Sequence, residues 1–244
     1  MTNDMKIKID THSHTLASGH GYSTIQEMAK EASRKELQML AITEHGPSMP
    51  GSCHEYYFHN LKVVPREYYG VPLLLGIELN IMDETGKVDL PSSVLEKMDI
   101  VVASLHKAFF LGGENVDDYT NAYINAMKNP YIRIIGHPDD SRCLPDFEKL
   151  VLAAKETDTL LEINSGSLHP KAFRIGGRKN ILDLLELCKV HEVKITTGSD
   201  AHVADLVGEF KEIEEILIYC NFPEDLVVTT DFEKLKPYVN LYNY

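Results

Sequence analysis

The segment Lys6-Ile7-Lys8-Ile9-Asp10-Thr11-His12-Ser13-His14 begins as an alternating strand and ends in two imidazoles. In extended backbone, residues two apart share a side, so His12 and His14 can chelate one ion where the strand stops. Asp10 is placed to orient one of these imidazoles, a common arrangement around zinc. Outward from this segment the same event recurs. Apolar runs end in Ile42-Thr43-Glu44-His45, in Gly76-Ile77-Glu78, in Ser104-Leu105-His106, in Gly136-His137-Pro138 and in Gly198-Ser199-Asp200-Ala201-His202, while His20 follows the first run.

The runs predict seven strands, at residues 6–9, 39–43, 73–77, 100–105, 132–135, 160–163 and 194–197. Amphipathic stretches between them predict helices at 24–35, 116–128, 147–155, 180–191 and 209–219, the first with a capping box at Ser23 and Gln26. Glu84-Thr85-Gly86-Lys87 reads as a tight turn in a small hairpin after the third strand. Strand–helix alternation of this kind builds a parallel α/β sheet, either closed as a TIM-like barrel or open and doubly wound. Donors at strand ends favour the barrel, because a closed ring directs its C-terminal strand ends to one mouth.

With 244 residues and 43% hydrophobic content, the chain suits one α/β domain spanning residues 1–244. A net charge of −13 repels a phosphate backbone, which makes nucleic acid a poor partner, although bound cations would make a local site positive. Cys53, Cys143, Cys188 and Cys220 lack CxxC spacing and read as reduced, incidental thiols. No segment reads as a signal peptide or bilayer span, so a cytoplasmic location is the simplest expectation. The oligomeric state is left open.

A lone histidine at a strand end is ordinarily a hydrogen-bonded core or cap residue. Six of the seven predicted strands, however, finish in a candidate donor, and the sixth in sequence order ends in Asn164-Ser165. Independent structural roles would not select nitrogen and carboxylate donors at the same end of strand after strand. The candidate set is His12, His14, His20, His45, Glu78, His106, His137, Asp200 and His202. These are too many for one tetrahedral ion, which takes about four, and with one bridging carboxylate they suit two or three ions. Such donors fit zinc, with manganese or iron also allowed. A cluster at a barrel mouth can leave positions for water and substrate, which favours catalysis over a structural role. His54, His59, His169 and His191 read as surface or supporting residues, with His169 the best placed to approach substrate.

Taken in order, Asp10-x-His12-x-His14, Ile42-x-x-His45-Gly46, Gly76-Ile77-Glu78, His106, Gly136-His137-Pro138 and Gly198-Ser199-Asp200-x-His202 resemble the PHP family, the polymerase and histidinol phosphatase domain. The likeness runs from about residue 6 to residue 215. Gly21-Tyr22-Ser23-Thr24 and Leu161-Glu162-Ile163-Asn164 resemble the stand-alone, YcdX-like phosphatases within it. The resemblance implies a distorted seven-unit β/α barrel, three zinc ions at the C-terminal strand ends and phosphoesterase activity. It assigns one ion to His12, His14, Glu78 and Asp200, a second to Glu78, His106 and His137, and a third to His20, His45 and His202. Glu44, where many relatives carry Asp, and the acidic pair Asp139-Asp140 depart from the pattern near the rim.

The expected reaction is hydrolysis of a small phosphomonoester by a metal-activated water. Arg174 and Arg178, with Lys171 and Lys179, form a dense basic stretch that reads either as a phosphate clamp or as a solvated loop. The rival readings are a nucleic-acid phosphodiesterase or exonuclease of the same family and a metal-binding regulatory protein without turnover.

Overall fold

Continuous apolar runs form parallel strands buried on both faces, as helices packed outside a closed sheet require. The computed structural model describes residues 5–241. Its strands are β1 (Ile9–Asp10), β2 (Met39–His45), β3 (Glu67–Tyr68), β4 (Val71–Asn80), β5 (Val101–Ser104), β6 (Ile134–Gly136), β7 (Leu160–Asn164) and β8 (Ile195–Gly198). All but β3 lie side by side in sequence order and pair in parallel, while β3 is a short antiparallel addition to β4.

The first and last strands meet just beyond their ends. Ser13 bridges Ala201, and the amides of Asp200 and His14 donate at 2.8 Å to the carbonyls of His12 and Ala201. Lower down, Lys8 N donates to Thr229 O at 2.9 Å and Ile195 bridges Val227, so a segment near the C-terminus is wedged into the seam. The result is a nearly closed barrel of seven parallel strands, and an open doubly wound sheet is excluded. β1 starts at Ile9 rather than at the expected residue 6: Lys8 N is taken by Thr229 O of the wedge, while Lys8 O still accepts from Gln38 N at 2.7 Å.

Helices α1 (Ile25–Arg34), α2 (Glu55–His59), α3 (Ser92–Leu95), α4 (Val116–Met127), α5 (Phe147–Thr157), α6 (Gly177–His191), α7 (Lys211–Tyr219) and α8 (Phe232–Leu235) complete the chain. The capping box at α1 is displaced by one residue from the expected pair. Thr24 accepts from Glu27 N and the Glu27 carboxylate accepts from Thr24 N, while Ser23 Oγ instead receives Ala204 N at 2.9 Å. The expected hairpin after β4 is present, with Ile81 paired antiparallel to Val88. Among the described residues no helix is long and apolar enough to cross a membrane.

Alternation along each strand places every second residue inside the barrel. Ile9, Met39, Ala41, Leu74, Ile100, Val102, Ile134 and Leu160 form one buried apolar cluster, closed from below by Val228, Leu235 and Tyr238. Two or four residues further along the same inner faces come Thr43 and His45, Gly76 and Glu78, Ser104 and His106, and Gly136. The interior therefore changes from apolar to ligand-bearing as the strands rise.

Candidate metal centre

The candidate donors arrive by two local devices. Glu78 lies on β4 opposite His45 on β2, so strand register alone brings their backbones level. His137 and Asp200 follow β6 and β8 with φ of 27° and 54°, a left-handed backbone uncommon for such residues and the kind of strain that clusters at functional sites.

Four of the imidazoles are aimed by a hydrogen bond on the outer nitrogen. His12 Nδ1 pairs with Glu162 Oε1 at 2.8 Å, and His106 Nδ1 with Asn80 Oδ1 at 2.8 Å. The Asn80 amide donates to Asp89 at 2.7 Å, which fixes its oxygen toward His106. Ser18 gives its one proton to Glu44 at 2.6 Å, so it accepts from His14 Nδ1 at 3.1 Å and from His45 N at 3.0 Å. His202 Nδ1 donates to the Asp200 carbonyl at 2.9 Å. With the outer protons committed, the inner Nε2 atoms of His12, His14, His106 and His202 present lone pairs.

These lone pairs converge with two carboxylates. The Nε2 atoms of His12 and His14 are 3.0 Å apart, with Asp200 Oδ1 3.2 Å from the latter. Glu78 Oε1 lies 2.8 Å from His137 Nε2, 3.4 Å from His12 Nε2 and 3.5 Å from His106 Nε2. Glu78 Oε2 approaches His45 Nδ1 to 2.5 Å without hydrogen-bond geometry, which leaves both atoms, and His202 Nε2, buried and unpartnered. Four groups result whose donor atoms lie within 4.8 Å of one another: His14, His45 and His202; His12, His14 and Asp200; His12, Glu78 and His137; His45, Glu78 and His106. The exposed His20 is outside these groups, with its Nε2 3.2 Å from His45 Nε2. Buried lone pairs this close repel one another unless a cation lies among them. The donor set thus fits metal.

Burial, with His45 and His202 beside it, holds His14 well below the usual imidazole range, and burial brings His106 to about 3. Neutral imidazoles of this kind are what a cation needs. For His12, burial is outweighed by Glu162, Glu78 and Asp200, which raise the ring above the usual imidazole range. Burial likewise opposes charge on Glu78 and Asp200, but His12 and His106 around the first and Arg174 and His12 around the second keep both ionised.

Two supporting roles differ from expectation. Asp10 holds backbone rather than an imidazole, accepting from Ser199 N at 2.9 Å and Gly208 N at 3.0 Å. The orienting carboxylate is Glu162, which also receives His137 N at 2.8 Å. It reaches His12 only because residue 198 is glycine: a Cβ there would lie 2.2 Å from Glu162 Oε1. A carboxylate inside an otherwise apolar buried strand was the available signal. Glu44 is buried beneath the loop that carries His14 and His20, where it accepts from Thr15, Ser18 and Tyr57.

Six of the donors, His20, His45, His106, His137, Asp200 and His202, line a cavity of about 770 Å³. Arg174 lines it, held through Nη2 by Asp200 at 2.8 Å and Asn164 at 2.7 Å and through Nε by Ser167 at 2.7 Å. Arg178 is an exposed residue of the first turn of α6, outside the lining, and Lys179 pairs with Asp183. Lys171 and His169 do line the cavity, as do Lys107 and Arg142, which sequence reasoning missed because they lie apart from the basic stretch. His54 caps α2, and His59 and His191 pair with Glu55 and Glu148.

Residues 10–217 match the PHP domain. A protein of Thermoanaerobacter sp. (strain X514) named as a probable phosphatase is 47% identical over 235 residues, covering 96% of this chain and 95% of its own. Another of that description, from Clostridium novyi (strain NT), is 45% identical over 235 residues, with 96% and 95% covered. Among solved structures, histidinol phosphate phosphatase from Lactococcus lactis, complexed with zinc, L-histidinol and phosphate, superposes with a TM-score of 0.62 at 19% identity, covering 88% of this chain and 94% of that one. With a family match over most of its length and relatives this close, the chain belongs to the PHP domain family.

Proposed function

We propose that the chain is a metal-dependent phosphatase that hydrolyses a small phosphomonoester at the barrel mouth. The observation that carries the reading is the 3.0 Å approach of the His12 and His14 Nε2 atoms beside Glu78 and Asp200, an arrangement that calls for cations. The phosphatase names of relatives above 40% identity support the reaction class. Three ions would be held by His12, His14, Glu78 and Asp200, by Glu78, His106 and His137, and by His20, His45 and His202. Zinc is the first choice, since the histidinol phosphate phosphatase of the same fold is complexed with it, and manganese or iron fit the same donors. When bound, such ions make water ionise near neutral pH and offset the charge of a phosphoryl group.

The protein's own groups supply the rest. Glu162, Asn80 and Ser18 hold imidazoles with their lone pairs inward, so no reorganisation is needed when substrate arrives. Arg174 braces Asp200 and places a guanidinium on the cavity wall, where it would face phosphoryl oxygens. Lys171 adds positive charge at the cavity wall, where Lys107 and Arg142 are paired with Glu114 and Asp140, and would draw a phosphoester toward a chain whose net charge is −13.

The test is release of inorganic phosphate from a panel of phosphomonoesters by protein stripped with a chelator and then supplied with zinc, manganese or iron. Turnover that requires added metal and is lost in His12→Ala and Asp200→Ala supports the proposal. Metal uptake without phosphate release from any ester would identify a binding protein instead.

A further inference from the structure

We propose that Glu44 is a positioning residue for the metal centre: through Ser18 it fixes the proton of His14 on Nδ1 and so keeps the Nε2 lone pair open to a cation. This rests on the metal-centre part of the reading above and needs no particular ester. Glu44 precedes His45 at the end of β2 and is fully buried, where a carboxylate must find donors. It receives four, three from the segment after β1 and one from α2. Thr15 N at 3.0 Å and Ser18 Oγ at 2.6 Å reach Oε2, while the hydroxyls of Thr15 and Tyr57 reach Oε1, Tyr57 at 3.3 Å. A carboxylate only accepts, so every one of these protons points toward it. The Thr15 hydroxyl agrees with this direction, since its own oxygen accepts from Ala17 N at 3.2 Å.

The direction matters because Ser18 has one proton and two lone pairs. The amide of His45, which can only donate, takes one lone pair at 3.0 Å. With the Ser18 proton committed to Glu44, the other lone pair faces His14 Nδ1 at 3.1 Å, which must then be the protonated nitrogen. The opposite tautomer has a partner ready: Asp200 Oδ1 lies 3.2 Å from His14 Nε2, and a proton between those atoms would occupy the ligand position of the ring. Which nitrogen a histidine offers to a metal is set by the hydrogen bond on the other. Glu44 therefore selects the metal-binding tautomer from one hydroxyl further out.

The experiment reads the His14 ring in chelator-stripped protein by nitrogen NMR of isotope-labelled histidine, assigned against His14→Gln, and reads zinc affinity by competition with a chromophoric chelator. The wild-type protein should carry the proton on Nδ1. Glu44→Met leaves Ser18 free to donate to that nitrogen, so the proton should move to Nε2 and zinc affinity should fall by about 10–100-fold, the usual range for an orienting partner. Ser18→Ala should weaken zinc to a similar degree, and the double variant should lose no more than either single one, because the two residues act in series. Glu44→Gln should stay close to wild type, since its amide oxygen can take the place of Oε2 while its nitrogen turns to the hydroxyls of Thr15 and Tyr57. A proton on His14 Nε2 in the wild-type protein, or an unchanged zinc affinity in Ser18→Ala, would overturn the proposal even where Glu44→Met fails to fold. Losses that add in the double variant would identify Glu44 as a support for the loop alone and would overturn it too. Absence of zinc uptake by the folded wild-type protein would instead overturn the metal-centre reading, and this inference with it.

Discussion

At the lower end of the barrel, Met39, Leu74, Val102 and Leu160 close on Leu235 and Tyr238 in a buried apolar layer, whereas the upper end of the same inner faces carries His45, Glu78 and His106 with lone pairs facing one another. The lower end is stabilised within the polypeptide, by burial and by the Tyr238 hydroxyl, which donates to Asp158 at 2.7 Å. The upper end is not: His45 Nδ1, Glu78 Oε2 and His202 Nε2 are buried without partners, a state that costs free energy until a cation enters. The difference separates the two kinds of damage a substitution can do. Changes below should act on stability, and changes above should act on metal and turnover.

The sharpest way to break this division is at the top. His12→Ala, or removal of metal by a chelator, should lower phosphate release by more than about a thousandfold, the upper end for loss of a single stabilising donor. Added zinc should raise the Tm of the stripped wild-type protein, because a ligand that binds only the folded chain stabilises it, and should raise that of His12→Ala much less. At the bottom, Leu235→Ala removes a fully buried side chain and should reduce the unfolding free energy by about 2–5 kcal/mol in denaturant titrations. Its turnover per folded molecule should match the parent; a thousandfold loss there would erase the distinction between the two ends.

Between these extremes lies Glu162, which touches no candidate cation yet aims His12 and holds the His137 amide. Glu162→Gln should weaken metal affinity by about 10–100-fold in competition with a chromophoric chelator, the usual range for an orienting partner. The smallest effect is expected far from both ends: Thr24→Ala deletes the N-cap of α1 and should cost about 1 kcal/mol of stability without changing metal content.

The strand ends were legible because an apolar run interrupted by histidine or carboxylate is a contrast visible in one dimension, and its repetition implied a ring. The identity of the supporting groups was less so. Glu162 lies inside a run that reads as a strand, and its partner His12 is 150 positions away, so only the closed barrel reveals that they meet. Asp10, adjacent in sequence to the imidazoles, looked like their partner but turns instead to the amides of Ser199 and Gly208. The plug of Val228, Leu235 and Tyr238 has no periodicity that would mark it as the floor of a barrel. Arg142 and Lys107 escaped notice because charge density along the chain pointed to residues 171–179, whereas the cavity gathers cations from three separate loops.

The central claim, that side chains distant in sequence gather into one pocket holding several cations, is tested most directly by elemental analysis of the purified chain reconstituted with zinc and freed of loosely bound ions. The account predicts three equivalents per chain in the wild-type protein and fewer in His12→Ala. One equivalent or none in the folded wild-type protein would contradict it.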